Sequence, residues 1–285
     1  MRVTVLGTGI IGAGVAGSLL RAGHHVTVWN RDSAKTEPLA TAGATAAASP
    51  AAAVTDAEAV LTILFDADSV DAVMTDALAA MDPSAIWVQM TTVGLDGSAR
   101  LAQLADQHGV PFVEAQMLGT KAPAEKGQLV LLVGGDQELL GRLSPVFDAI
   151  SARTVHAGDA IGPASALKLA ANAWVLGVNA LVGQSLALAG SLGLDAQFFL
   201  DAIAGGAMDT PYAHVKGAAM LAGDFAPSFP LTGAVKDLDL IRSAALRAGV
   251  SEDVIGAIQA KYDSARRAGH GDDDMAAIYT AFLPH

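Results

Sequence analysis

With 285 residues, 52% of them apolar and only 16% charged, the chain has material for two domains and a large core, and too little polar content for disorder. A net charge of −12 argues against a nucleic-acid surface, and zero cysteines exclude disulfides and thiolate chemistry. The seven histidines show no metal-ligand spacing, so no metal centre is expected.

Arg2–Leu6 is a β-rich run that leads directly into Gly7-Thr8-Gly9-Ile10-Ile11-Gly12. A helical pattern follows from Ala13 to Ala22, then a second apolar run, His25–Trp29. A GxGxxG between a strand and a helix, inside a unit of about 30 residues, is the context that dinucleotide binding requires. Gly7 permits the tight turn, Gly9 lets the backbone approach a pyrophosphate, and Gly12 lets helix and strand pack closely. The helix N-terminus offers unpaired N–H groups to the phosphates. At the tip of the second strand, a 2′-hydroxyl calls for an acid and a 2′-phosphate for a cation. The chain has Asn30-Arg31 there, with Ser33 and Lys35 as further donors, which points to NADP(H). Asp32 opposes that reading if its carboxylate turns toward the phosphate.

Thr41–Ala53 reads as an Ala-rich linker with a helix start at Ser49-Pro50. Ala59–Phe65 is a buried-strand run ended by Asp66, with a helix from Ser69 to Ala80. Ala85–Met90 is the next strand, ending at Thr91-Thr92. Leu95–His108 reads as helix, Pro111–Glu114 and Gln128–Val133 as strands, Asp136–Ile150 as one helix, and Arg153–His156 as the last strand. This alternation predicts a doubly wound, mostly parallel sheet of Rossmann type.

From Gly162 onward only helical spacing remains. Pro163 opens a helix that runs to about Leu192, roughly 45 Å long at 1.5 Å per residue. Leu169–Leu194 holds no charge, but Asn172, Asn179, Gln184 and Ser185 interrupt it, so it reads as a buried core helix rather than a membrane span. Shorter helices follow near Asp195–Ala204, Tyr212–Ala222, Val235–Ala248 and Ser251–Ala268. Asp272-Asp273-Asp274 reads as a solvated helix start. The expected domains are 1–160, binding the dinucleotide, and 161–285, all-helical and joined through the long helix. Met1–Val5 has neither a basic n-region nor an apolar h-region, so a cytoplasmic location is expected.

Hydride transfer to a carbonyl or imine needs a proton donor near the reduced atom and donors that hold the substrate. Lys168 and Asn172, four residues apart, share one face of the long helix on apolar ground. Desolvation there lowers an ammonium pKa, which suits proton donation. The same spacing also fits a Lys reaching to solvent with Asn as a packing residue.

Taken in order, Gly7-x-Gly9-x-x-Gly12, Asn30-Arg31, Thr91-Thr92-Val93, Ala124-Glu-Lys-Gly127 leading to Val133-Gly-Gly135, Gly162-x5-Lys168-x3-Asn172 and Lys236-Asp237-Leu238 make the whole chain resemble the β-hydroxyacid dehydrogenase family. That family includes 3-hydroxyisobutyrate dehydrogenases and NADPH-type glyoxylate/succinic semialdehyde reductases. The resemblance implies Lys168 as acid/base and Asn172 as its orienter or a substrate contact. It places Thr92 at the nicotinamide ribose, Lys236 near cofactor or substrate, and Phe65-Asp66 beside the adenine-side ribose and pyrophosphate. A small-molecule carbonyl or imine substrate is implied, at the junction of the two domains, in a homodimer or homotetramer.

One departure falls in the substrate segment. Where the family carries Pro-Val-Ser-Gly, this chain has Gln116-Met117-Leu118-Gly119. Leu118 cannot donate the hydrogen bond that the Ser offers a carboxylate; either Thr120, Gln116 or Lys121 substitutes for it, or the substrate is less acidic or bulkier than a small hydroxy acid, and Gly119 and Thr120 are expected to hold the substrate. That change raises imine reductases, which share the architecture and NADPH preference but usually replace the helix Lys, as the second possibility. Retention of Lys168 favours a carbonyl substrate. A dinucleotide-binding protein without turnover is the remaining alternative.

Overall fold

The computed structural model of the chain describes residues 1–284. Its first part holds eight strands: β1 (Arg2–Leu6), β2 (His25–Trp29), β3 (Thr45–Ala46), β4 (Ala59–Thr62), β5 (Ile86–Gln89), β6 (Phe112–Leu118), β7 (Leu129–Gly134) and β8 (Ser151–Gly158). They form one sheet in the order β3-β2-β1-β4-β5-β6-β7-β8. Neighbours are parallel except for the antiparallel β6–β7 pair. β4 and β5 are buried at every position, as expected for strands covered on both faces. Val3, Val5 and Val88 pack on one face with Val15 and Leu19, whereas Leu6, Val60 and Trp87 pack on the other with Met74 and Leu101. This period-two division is what alternating side chains along a strand produce. The strand order reverses between β1 and β4, so the crevice beyond their C-terminal ends is the place where such sheets bind ligands.

Several elements differ from the sequence expectation. The first helix starts at Ile10 rather than Ala13, because tertiary packing overrides the weak helix propensity of Ile10-Ile11-Gly12. The supposed linker Thr41–Ala53 contains the edge strand β3, and the helix Glu37–Thr41 leads into it. β6 continues through Leu118 instead of stopping at Glu114, held by its pairing with β7. The helix expected over Asp136–Ile150 is two helices, Gln137–Arg142 and Ser144–Ile150, with Pro145 in the first turn of the second.

The chain divides into two compact units after Lys168, inside the long helix Pro163–Ser191. The second unit adds Gln197–Ile203, Pro211–Ala222, Leu231–Arg247, Asp253–Ala265 and the 3₁₀ segment Met275–Phe282. Its core includes Leu176, Leu186, Leu238, Tyr262 and Ile278. Buried Asn179 donates there from Nδ2 to the Tyr262 hydroxyl at 2.8 Å and the Met275 carbonyl at 2.9 Å.

Two expectations about this unit need correction. Asp274 is not solvated: it is 3% exposed and accepts from Lys216 Nζ at 2.6 Å, Ser228 Oγ at 2.7 Å and the Ala276 amide at 3.0 Å. Burial pushes its carboxyl up, but the Lys216, Ser228 and Ala276 donors outweigh burial and hold it below the usual carboxylate range. The long helix, in turn, is buried on one side only. Leu167, Trp174, Leu181 and Leu188 recur at every seventh position and are exposed, Trp174 by 68%. The sequence suggested burial because the helix is apolar all round, yet the fold of a single chain covers only part of it.

Candidate active site

The turn after β1 has the backbone that its glycines allow. Gly7 adopts φ +103°, and its amide donates to the Trp29 carbonyl at 2.9 Å, which ties the turn to the tip of β2. A side chain at Gly12 would collide with the Gly7 carbonyl. Gly9 is the N-cap of the helix Ile10–Arg21 and offers no side-chain cap, and a Cβ on Gly9 would meet open space. Thr8 is 3% exposed, yet its hydroxyl has no partner among the described residues. A bare helix N-terminus with open space over Gly9 and an orphaned buried hydroxyl beside it fits a pyrophosphate.

At the end of β2, Arg31 is exposed and forms no ion pair among the described residues. Asp32 turns its carboxylate to the Ala34 amide, 3.2 Å away, and caps the short turn Ser33–Lys35. The acid that could have repelled a 2′-phosphate is therefore engaged in local capping. Asn30 is half-buried and Ser33 exposed.

The tips of β4 and β5 are fixed by a buried polar network that sequence reasoning did not find. Gln89 Oε1 accepts from the Thr62 hydroxyl at 2.9 Å and from the Thr91 amide at 3.0 Å, while Gln89 Nε2 donates to the Thr91 carbonyl at 2.7 Å. The Thr91 hydroxyl donates to the Thr62 carbonyl at 3.1 Å and accepts from the Leu64 amide at 2.9 Å. Half-buried Thr92 thus follows a braced residue. Phe65 is half exposed, and Asp66 caps the helix Ala67–Ala77 through the Ser69 amide at 2.8 Å. The only sequence signal for this brace is a Gln and two Thr inside apolar strand runs.

β6 carries the substrate segment. Leu118 is half-buried at its last position, and Gly119 turns the chain with φ +123°. Thr120 then precedes the short helix Lys121–Lys126 without using its hydroxyl to cap it. The end of that helix rests on the first helix: Ser18 Oγ donates to the Ala124 carbonyl at 2.8 Å, and Arg21 to the Glu125 carbonyl. Half-buried Lys168 donates from Nζ to the Met117 carbonyl at 2.6 Å. Lys168 and the end of β6 are therefore brought together within the first unit.

In the helical unit, Asn172 Nδ2 donates to Asp237 Oδ2 at 2.6 Å, and Lys236 Nζ pairs with Asp237 Oδ1 at 2.8 Å. Asp237 is 2% exposed and links the two predicted residues. In the sequence, Asp237 stands within the Lys236-Asp237-Leu238 motif with no role of its own evident. Its signal is a lone acid beside a lysine on an otherwise apolar helix face. Tyr212, His214 and Asp209 make a separate group: His214 Nε2 and Asp209 Oδ1 lie 2.6 Å apart, and the Tyr212 hydroxyl reaches Met275 Sδ at 3.7 Å.

Residues 2–158 match the family model described as the NAD binding domain of 6-phosphogluconate dehydrogenase. Residues 162–282 match the one described as NAD-binding of NADP-dependent 3-hydroxyisobutyrate dehydrogenase. Glyoxylate/succinic semialdehyde reductase 1 of Arabidopsis thaliana is 32% identical over 99% of this chain and 98% of its own length. The crystal structure of 3-hydroxyisobutyrate dehydrogenase from Salmonella typhimurium superposes with a TM-score of 0.92 at 23% identity, covering 99% of this chain and 100% of that one. An imine reductase from Myxococcus stipitatus in complex with NADP+ has the fold at a TM-score of 0.69 and 24% identity, with both chains covered completely. The chain belongs to the β-hydroxyacid dehydrogenase family of NAD(P)-dependent oxidoreductases.

Proposed function

We propose that the protein is an NADPH-dependent reductase that interconverts a small carbonyl compound and its alcohol, with Lys168 as the proton donor. The observation that carries this reading is the Lys168 Nζ bond to the Met117 carbonyl, which fixes an ammonium at the C-terminal end of β6. The Gly7–Gly12 turn would hold the pyrophosphate, Arg31 the 2′-phosphate, and Thr92 the nicotinamide ribose. NADPH, once bound, would supply the hydride that reduces the carbonyl carbon.

As that carbon is reduced, its oxygen gains the electron pair of the C=O bond and takes a proton from Lys168 Nζ. The neutral amine then regains a proton from solvent. An ammonium has three donors, and the neutral Met117 carbonyl accepts one of them, so Nζ is aimed without that partner competing for its charge. Asp237 orients the Asn172 amide by accepting from Nδ2.

A second reading, imine reduction, is favoured by the apolar Leu118 beside that ammonium. The two separate in one experiment: NADPH consumption with a panel of small aldehydes and 2-oxo acids set against cyclic imines. The carbonyl panel is expected to turn over. Turnover of imines alone supports the second reading, and NADPH binding without turnover of any compound favours a dinucleotide-binding protein.

The exposed stripe Leu167, Trp174, Leu181 and Leu188 supports a second copy of this chain as its cover, in a homodimer or homotetramer. Trp174→Glu is expected to shift the sedimenting species toward 28.8 kDa. A wild-type protein already sedimenting at that mass at micromolar concentration contradicts the assembly.

A further inference from the structure

Glu114 is fully buried on β6, and every hydrogen bond found for it comes from a neutral donor. Its Oε1 accepts from the Ser98 hydroxyl and from the Ser165 hydroxyl at 2.5 Å, and its Oε2 accepts from the Gly162 amide at 2.7 Å. Gly162 and Ser165 belong to the start of the long helix, whose first bond runs from the Ala166 amide to the Gly162 carbonyl at 2.8 Å. Gly162 stands at φ +116°, where only glycine sits without strain, so the chain entering the helix has one unstrained path. A carboxylate from the sheet thereby caps the helix from outside, at the end where the helix dipole favours negative charge.

Three residues further along β6, the Met117 carbonyl holds Lys168 Nζ. Three strand residues rise about 10 Å and the six helix residues from Gly162 to Lys168 about 9 Å, so strand and helix run side by side nearly in step. The two attachments share the load differently. The Met117 carbonyl holds the tip of a flexible side chain, whereas Glu114 holds the helix backbone that carries it.

We propose that Glu114 is a positioning residue that fixes Lys168 along β6; this rests on Lys168 being the proton donor. Glu114→Gln keeps the volume but sets an NH₂ group against the Gly162 amide or against the two serine hydroxyls. The helix start then loses an anchor and can slide along the strand. Misplacement of a reacting group by about 1 Å costs up to a hundredfold in rate, so kcat should fall about ten- to a hundredfold. NADPH affinity, measured by fluorescence titration, should stay within twofold.

A double-mutant cycle supplies the readout that a merely structural role would not move. Adding Glu114→Gln to Lys168→Ala should cost less than twofold more, because the positioned group is already gone. A kcat within twofold of wild type, or a loss of equal size in both backgrounds, overturns the proposal. If Lys168→Ala retains wild-type turnover, the proton-donor reading itself fails, which is a distinct result. Should Glu114→Gln not fold, Ser165→Ala removes one of the three donors and is expected to lower kcat several-fold with the same non-additivity. An unchanged Ser165→Ala enzyme would also overturn the proposal.

Discussion

Lys168→Ala lowers turnover by roughly 10²–10⁴ while leaving NADPH affinity within about twofold; that is the largest effect expected of any single substitution here. The range corresponds to about 3–5 kcal/mol of lost transition-state stabilisation. Truncation removes the ammonium that donates to the Met117 carbonyl, and Ala is a strong helix former. The long helix should therefore persist, and the melting temperature should change little.

Lys168→Arg separates proton transfer from charge. Its guanidinium keeps the positive charge but does not release a proton at any accessible pH. Continued low activity in that variant assigns proton donation, whereas recovery to near wild type means that charge alone stabilises the developing alkoxide. Turnover of Lys168→Ala within a few-fold of wild type would remove the acid role altogether.

The parts of this protein that could be read from sequence are those set by short-range rules. β1 and β2 fall at the expected residues, since each is a five-residue β-branched run bounded by a turn. Gly7 and Gly12 carry their reasons locally, in a positive φ and a side chain that would not fit. What escaped depends on partners distant in sequence. β3 is two residues long and exists only because β2 offers it an edge. Glu114, Gln89 and Asp237 sit in apolar surroundings where composition predicts packing, and their roles appear only when Gly162, Thr62 and Asn172 arrive beside them. Asp274 shows the same limit from the other side: an acid in a run of three looks solvated until Lys216 is found against it.

Cofactor choice is the other point where one side chain should decide a large effect. Arg31→Ala is expected to weaken NADPH by about ten- to a hundredfold and NADH by less than twofold. A charge-assisted hydrogen bond contributes about 1.5–3 kcal/mol, which sets the size of the loss. The selectivity follows because the two cofactors differ only in the 2′-phosphate, and Arg31 stands at the end of β2, where that group is read. Asp32 keeps its negative charge, but one of its oxygens accepts from the Ala34 amide, which damps its repulsion of the phosphate. Arg31→Lys should retain part of the discrimination: a point charge attracts phosphate but cannot grip two of its oxygens in one plane. Because Arg31 is exposed, raising ionic strength should reduce the NADPH preference of the wild type and leave the Ala variant nearly unaffected. Equal weakening of both cofactors in Arg31→Ala would mean that the residue braces the strand end, and the 2′-phosphate contact would then have to be sought at Ser33 or Lys35.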